Sequence, residues 1–131
     1  MRRDFALPEQ DVDFLDANEL KWETVKDRTG LWLIIYEYII PSGYNHDIVD
    51  IALKIEGGYP VTQIDMVYFN PDLQKANGNN TPIKALARLN MDGKNWQRWS
   101  RHRTGENPWR PGLDDISTHL QMVKYWLERE L

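Results

Sequence analysis

The stretch LWLIIYEYIIPSGYNHDIVDIALKIEGGYPVTQIDMVYFNP, residues 31–71, decides how this chain folds. Its first ten residues are apolar at nearly every position, with Glu37 the one charge. Such a run predicts a strand covered on both faces. Pro41-Ser42-Gly43 breaks it. In VDIALKI, Val49, Ile51, Leu53 and Ile55 fall on one face at period two, with Asp50 and Lys54 opposite. Glu56 to Pro60 turn the chain, and VTQIDMVYF, residues 61–69, predicts a further strand. Strands joined by short turns form an antiparallel meander. Tyr36 and Tyr38 alternate with Ile35 and Ile39 and read as sheet-face aromatics. His46, Asp47 and Asp50 have metal-binding chemistry, but the alternation from Val49 sends Asp50 outward, so no metal site is expected there.

Upstream, LKWETVKDRTG alternates Trp22 and Thr24 with Lys21, Glu23 and Val25 and then turns, which predicts another strand. Before it, LPEQDVDFLDANEL begins with proline and early acids and spaces Leu7, Val12 and Leu15 loosely, predicting a short N-terminal helix or turn. Downstream, residues 70–82 are a run of Asn, Gly, Pro and charge, an irregular loop of a length usually kept for function or mobility. IKALARLNMDGKNWQRWS predicts a hairpin around Asp92-Gly93. At the end, Leu113, Ile116, Leu120, Val123 and Leu127 recur at three- and four-residue steps, the apolar stripe of a helix. Asp114 and Asp115 at its start and Lys124 and Arg129 near its end match the helix dipole. The expectation is one α+β domain over residues 1–131.

Composition narrows the chemistry. A net charge of −4 with pI near 5.3 disfavours general binding to nucleic acid or anionic membrane. There is no cysteine, which removes disulfides, thiolate metal sites and thiol nucleophiles together. No apolar segment follows the basic start MRRDFALPEQ, and the greasy run at 31–40 is too short to span a bilayer. A cytoplasmic location without membrane attachment is expected. No glycine-rich phosphate loop appears, so no nucleotide cofactor is expected.

The segment NWQRWSRHRTGENPWRPGLDD, residues 95–115, is the densest in chemistry. It gathers Trp96, Trp99 and Trp109, four arginines, His102 and a lone serine, Ser100. The tryptophans are expected to pack the hairpin against the last helix, each burying roughly 150–250 Å². The order of events along the chain resembles the ubiquitin-conjugating fold. In that family a Tyr-Pro follows the third strand, like Tyr59-Pro60, and a Trp-x-Pro precedes the helix after the active site, like Trp109 and Pro111. More closely, the chain resembles the bacterial ubiquitin-conjugating-like proteins grouped as prokaryotic family E, through LPEQDVDFL, YP…IDM…NP and WQRWSRH…PWRPG…THL. The resemblance covers residues 7–131. It implies an antiparallel meander with a short N-terminal helix, an irregular active-site loop and hairpin, and a C-terminal helix.

The resemblance has two departures. The His-Pro-Asn triplet of the eukaryotic enzymes is replaced by Phe69-Asn70-Pro71. Counting back from Trp109 at the family's spacing for the catalytic cysteine lands at Arg101, with Ser100 beside it. Ser100 is therefore the candidate acceptor of an acyl group. A hydroxyl ionises far above a thiol and needs a base. His102 is the nearest; with residues 99–103 extended it would lie on the same side as Ser100 but roughly 6–7 Å away, beyond hydrogen-bond reach. His119, oriented by Asp115 four residues earlier, is the second candidate. Arg98, Arg101 and Arg103, with Asn70, are candidates for stabilising the oxyanion. Plain alternatives stand beside each role: a solvated loop serine, a surface histidine, a helix-stabilising His–Asp pair, and arginines that balance Glu106, Asp114 and Asp115.

The resemblance implies conjugation of a ubiquitin-like protein in a bacterial pathway. The implied partners are that modifier, an activating enzyme using ATP and magnesium, and a JAB-type peptidase. Two readings remain: an acyl carrier that holds the modifier as an oxyester on Ser100, or an inactive binding module that kept the fold. A small hydrolase or nuclease using the Arg-Ser-His cluster, with Arg101, Arg103, Trp96 and Trp99 as a strip for single strands, is disfavoured by the negative net charge and by the lack of an acidic metal pair.

Overall fold

The computed structural model describes residues 1–78 and 87–131. Helix α1 (Glu9–Ala17) is followed by strands β1 (Lys21–Asp27), β2 (Gly30–Ile39), β3 (Ile48–Ile55), β4 (Val67–Asn70), β5 (Arg88–Met91) and β6 (Lys94–Trp99), then helix α2 (Ile116–Glu130). The strands form one antiparallel sheet in the order β1-β2-β3-β4-β6-β5. The expected meander covers β1 to β4. The hairpin then joins through its second strand, so β6 lies against β4 and β5 takes the edge. Asp92 and Gly93 both have positive φ, 53° and 71°, as a tight two-residue hairpin turn requires. The first residues of the predicted hairpin, 83–86, and the end of the predicted loop, 79–82, lie outside the described residues.

The central strands are buried on both faces, as the apolar run predicts. Leu33, Ile35, Ile51, Leu53, Phe69 and Trp99 face one core with Leu15 of α1 and Ile116, Leu120, Val123 and Leu127 of α2. Val25, Trp32, Ile34, Ala52, Tyr68, Met91 and Trp96 form a second cluster on the other face. The three tryptophans of residues 95–115 therefore do not all meet α2. Trp96 and Trp99 are an odd number of residues apart on one strand, and odd spacing puts side chains on opposite faces. Each is fully buried; truncating one to alanine costs about 3–5 kcal/mol.

Three local expectations need correction. A bulge interrupts the β2–β3 register between Ile35 and Tyr38, with Glu37 at φ 53°. It breaks the alternation, so Tyr36 packs on the second cluster and Tyr38 on the first, while Ile39 is left exposed. The predicted strand over 61–69 starts only at Val67. Val61 and Ile64 are three apart, which does not fit period two: Val61 is exposed, Ile64 is in the core, and Met66 at φ 60° turns the chain into the ladder. Leu113 does not belong to the stripe of α2. It lies in a turn closed by the Leu113 and Asp114 N–H groups on the Arg110 carbonyl, and it is exposed. The helix begins at Asp115, whose carboxylate accepts from the Thr118 N–H while the Thr118 hydroxyl accepts from the Asp115 N–H, a reciprocal cap.

The N-terminal arm runs beside β1 through an Arg3–Thr24 bridge. It partly covers the sheet edge, and Arg2 is held between Glu23 and Asp92. Among the described residues no helix is long and apolar enough to cross a membrane.

Candidate functional site

Strand β6 ends at Trp99, and a tight backbone turn follows. The Arg101 N–H donates to the Trp99 carbonyl at 2.9 Å, an i to i+2 contact that closes a three-residue turn centred on Ser100. Residues 99–103 are therefore not extended. The bend removes the separation expected for an extended chain and brings Ser100 Oγ to 3.2 Å from His102 Nε2.

The other ring nitrogen of His102 meets a residue that the sequence did not point to. Nδ1 lies 3.0 and 2.9 Å from the two carboxylate oxygens of Asp65. A carboxylate only accepts, so in the neutral imidazole Nδ1 carries the proton and Nε2 is left to accept from the Ser100 hydroxyl. Asp65, His102 and Ser100 thus form a hydrogen-bonded line with the geometry of an oriented general base and its nucleophile. Ser100 is half-buried, and the His102 side chain is 56% exposed.

Asp65 is held in place by its neighbours on both sides. Ile64 is anchored in the core, and the Met66 N–H donates to the Arg101 carbonyl at 3.2 Å. The Met66 carbonyl accepts from His119 Nε2 at 2.8 Å. One residue further, Val67 pairs with Trp99 in the β4–β6 ladder. The same strand pairing that ends at Trp99 therefore sets Asp65 beside the turn carrying Ser100 and His102.

The remaining predicted residues lie elsewhere or have other partners. His119 is fully buried, edge-on to Trp126 with ring centroids 5.6 Å apart, and it supports Met66 without reaching Ser100. Burial pulls its pKa down from 6.5 to about 4, only partly offset by the bond to Met66. Its expected partner Asp115 is committed to the helix cap, accepting from Ser117 and Thr118. The Arg101 guanidinium turns to Glu130 at the end of α2 and lies 5.2 Å from the Trp99 ring. The Arg103 side chain is almost fully buried, 5.0 Å over Trp109 and 3.6 Å from Asp114. Arg98 stands on β6 opposite Tyr68. Asn70 is at the far end of β4, donating to the Asn95 carbonyl. These side chains were expected around an oxyanion; Arg101 and Asn70 are engaged elsewhere, while Arg98 Nε and Arg103 Nε and Nη2 are buried without a hydrogen-bond partner among the described residues. Asp50 receives the Glu37 N–H and faces outward, as the alternation of β3 requires.

Beside the bend, the segment 101–107 and the outer face of α2 enclose an open groove of about 1150 Å³. His102 stands on its rim, Arg103 and Asp114 line one wall, and Met122, Tyr125 and Arg129 line the other. Trp109, under the Arg103 guanidinium, donates its indole N–H to the Pro60 carbonyl at 3.0 Å, and its ring is tilted against Tyr59. The Tyr-Pro and Trp-x-Pro landmarks are in direct contact.

A curled antiparallel sheet between an N-terminal and a C-terminal helix, with Tyr-Pro packed against Trp-x-Pro beside the candidate site, defines an E2-like protein of the ubiquitin-conjugating class. The chain belongs to prokaryotic E2 family E, whose sequence profile matches residues 7–130. Neither a curated protein nor a solved structure matches the chain. Membership supports a conjugation-related, E2-like role in bacteria, which in general involves ubiquitin-like proteins and their activating enzymes.

Proposed function

We propose that this protein accepts the C-terminal carbonyl of a ubiquitin-like protein on Ser100, as an oxyester. The observation that carries the reading is the 3.2 Å contact between Ser100 Oγ and an imidazole whose far nitrogen is bonded to Asp65. His102 takes the hydroxyl proton as Oγ bonds to the carbonyl carbon, and returns it to the departing group of the activating enzyme. Asp65 is a positioning residue: it holds the ring and the tautomer and stabilises the imidazolium that forms. Arg101 and Arg103 shape the groove wall through Glu130, Asp114 and the two tryptophans. A JAB-type peptidase would release the modifier within the same pathway.

Mixing the protein with its ubiquitin-like partner, activating enzyme, ATP and magnesium should give a covalent adduct. It should survive reducing agent and be cleaved by hydroxylamine or mild base. An undiminished adduct on a Ser100→Ala protein would sink the assignment. The absence of cysteine also favours a second reading, an inactive module that binds the modifier or the activating enzyme. A tight complex measured by calorimetry, with no adduct under any condition, would select it.

A further inference from the structure

We infer that the Asp65–His102–Ser100 line is also a hydrolytic centre, which cleaves activated acyl thioesters and aryl esters and discharges the acyl-Ser100 intermediate to water. The inference rests on the reading of Ser100 as acyl acceptor and adds a second half-reaction to it. A carrier must shield its ester from water until an acceptor arrives; this site has little to shield it. His102, bonded to Ser100, lines the groove, and its imidazole is more than half exposed. Once Oγ is acylated, its hydrogen bond to Nε2 is gone, and that nitrogen is left facing solvent with Asp65 still fixed behind it. A water molecule can then occupy the place of the lost hydroxyl proton donor. The carboxylates nearest the turn are occupied: Glu130 is paired with Arg101, and Asp114 stands beside the buried Arg103. The base that would prepare an acceptor amine is the same imidazole that prepares water.

The two steps balance. In the first, the Oγ–carbon bond forms, the bond from the acyl carbon to sulfur or aryl oxygen breaks, and the serine proton passes through His102 to the leaving thiol or phenol. In the second, His102 takes a proton from water, the new oxygen bonds to the acyl carbon, the Oγ–carbon bond breaks and Ser100 regains its proton from His102. The net reaction is ester plus water to carboxylic acid plus thiol or phenol.

The test uses the purified full chain with p-nitrophenyl acetate and a small acetyl thioester, followed by product release and by intact mass. The expected result is about one equivalent of rapid release, an acetyl group mapped to Ser100, then turnover well past one equivalent. Ser100→Ala and His102→Gln should fall by roughly 10²–10⁴-fold, the usual worth of a base and its nucleophile. Far-UV circular dichroism checks that each variant folds; Ser100→Ala, which deletes one oxygen from a half-buried loop, carries the test if His102→Gln does not. Acetyl-Ser100 that accumulates to one equivalent and stays there overturns hydrolysis and leaves the acceptor reading intact. Unmodified Ser100, with release equal to that of Ser100→Ala, overturns both.

Discussion

Asp65 and His102 are 37 positions apart in the chain, and their carboxylate and imidazole are 2.9 Å apart in the structure. The contact exists because β4 and β6 are antiparallel neighbours, and it fixes which imidazole nitrogen faces Ser100. Asp65→Asn keeps size and shape but can donate to Nδ1, which would hold the ring proton on the wrong nitrogen. We expect acylation of Ser100 to slow by roughly 10²–10⁴-fold, with the thermal midpoint little changed. Single-turnover acetylation rates beside a melting curve check this; an unchanged rate would show that Asp65 does not orient the base.

The buried His119 should make the fold acid-sensitive in a defined window. Its folded pKa is near 4, against 6.5 in the unfolded chain, so the unfolded state binds the extra proton first as pH falls. Stability from this group is complete above pH 6.5 and is lost progressively down to about 4. The full difference is about 3 kcal/mol. His119→Gln can still donate an amide N–H toward the Met66 carbonyl but cannot titrate. Urea midpoints measured from pH 7 to 4 should fall more steeply for the natural protein than for the variant.

Tyr59 gives a prediction of the opposite pH sign. Its hydroxyl donates to the buried carboxylate of Asp11 at 2.7 Å, and the Ile116 N–H at the start of α2 approaches the other oxygen at 3.3 Å. Burial raises the Asp11 pKa, so the folded state holds its proton longer than the unfolded chain, and stability declines as pH rises through that interval. Tyr59→Phe removes one of the donors that offset burial. It should cost about 1–3 kcal/mol near neutral pH, and less in acid where Asp11 is protonated. A loss independent of pH would mean that the carboxylate is not the group being served.

Two substitutions separate architecture from chemistry at the bend. Asp115→Ala removes the cap of α2 and should lower stability by about 0.5–2 kcal/mol. Arg103→Ala removes a guanidinium buried between Trp109 and Asp114 and should lower the melting temperature as well. For both, Ser100 acylation measured well below the melting transition should stay within a few-fold of the natural protein. A selective collapse of acylation in Arg103→Ala, with stability kept, would return that arginine to the oxyanion.

Much of this protein is legible from local pattern. The period-two stripe of Val49, Ile51, Leu53 and Ile55 and the helical stripe from Ile116 to Leu127 landed on the core faces they predicted. Asp92-Gly93 turned the hairpin, and Asp115 capped its helix. Each of these is set by backbone geometry and burial within a few residues, so sequence spacing encodes it directly. Tyr59-Pro60 and Trp109-Arg110-Pro111 likewise carried the family, because they mark turns that the fold repeats. What spacing could not show is which strand the hairpin joins through, the bulge that parts Tyr36 from Tyr38, or the three-residue turn that swings Ser100 onto His102. Asp65 was invisible for the same reason. Its carboxylate reaches His102 only through the β4–β6 ladder and through the backbone of Met66, held by Arg101 and His119. Chain order specified the helices, most of the strands and the serine proposed as nucleophile; the orientation of the proposed base depends on long-range pairing, whose free energy belongs to the assembled sheet and to no single segment.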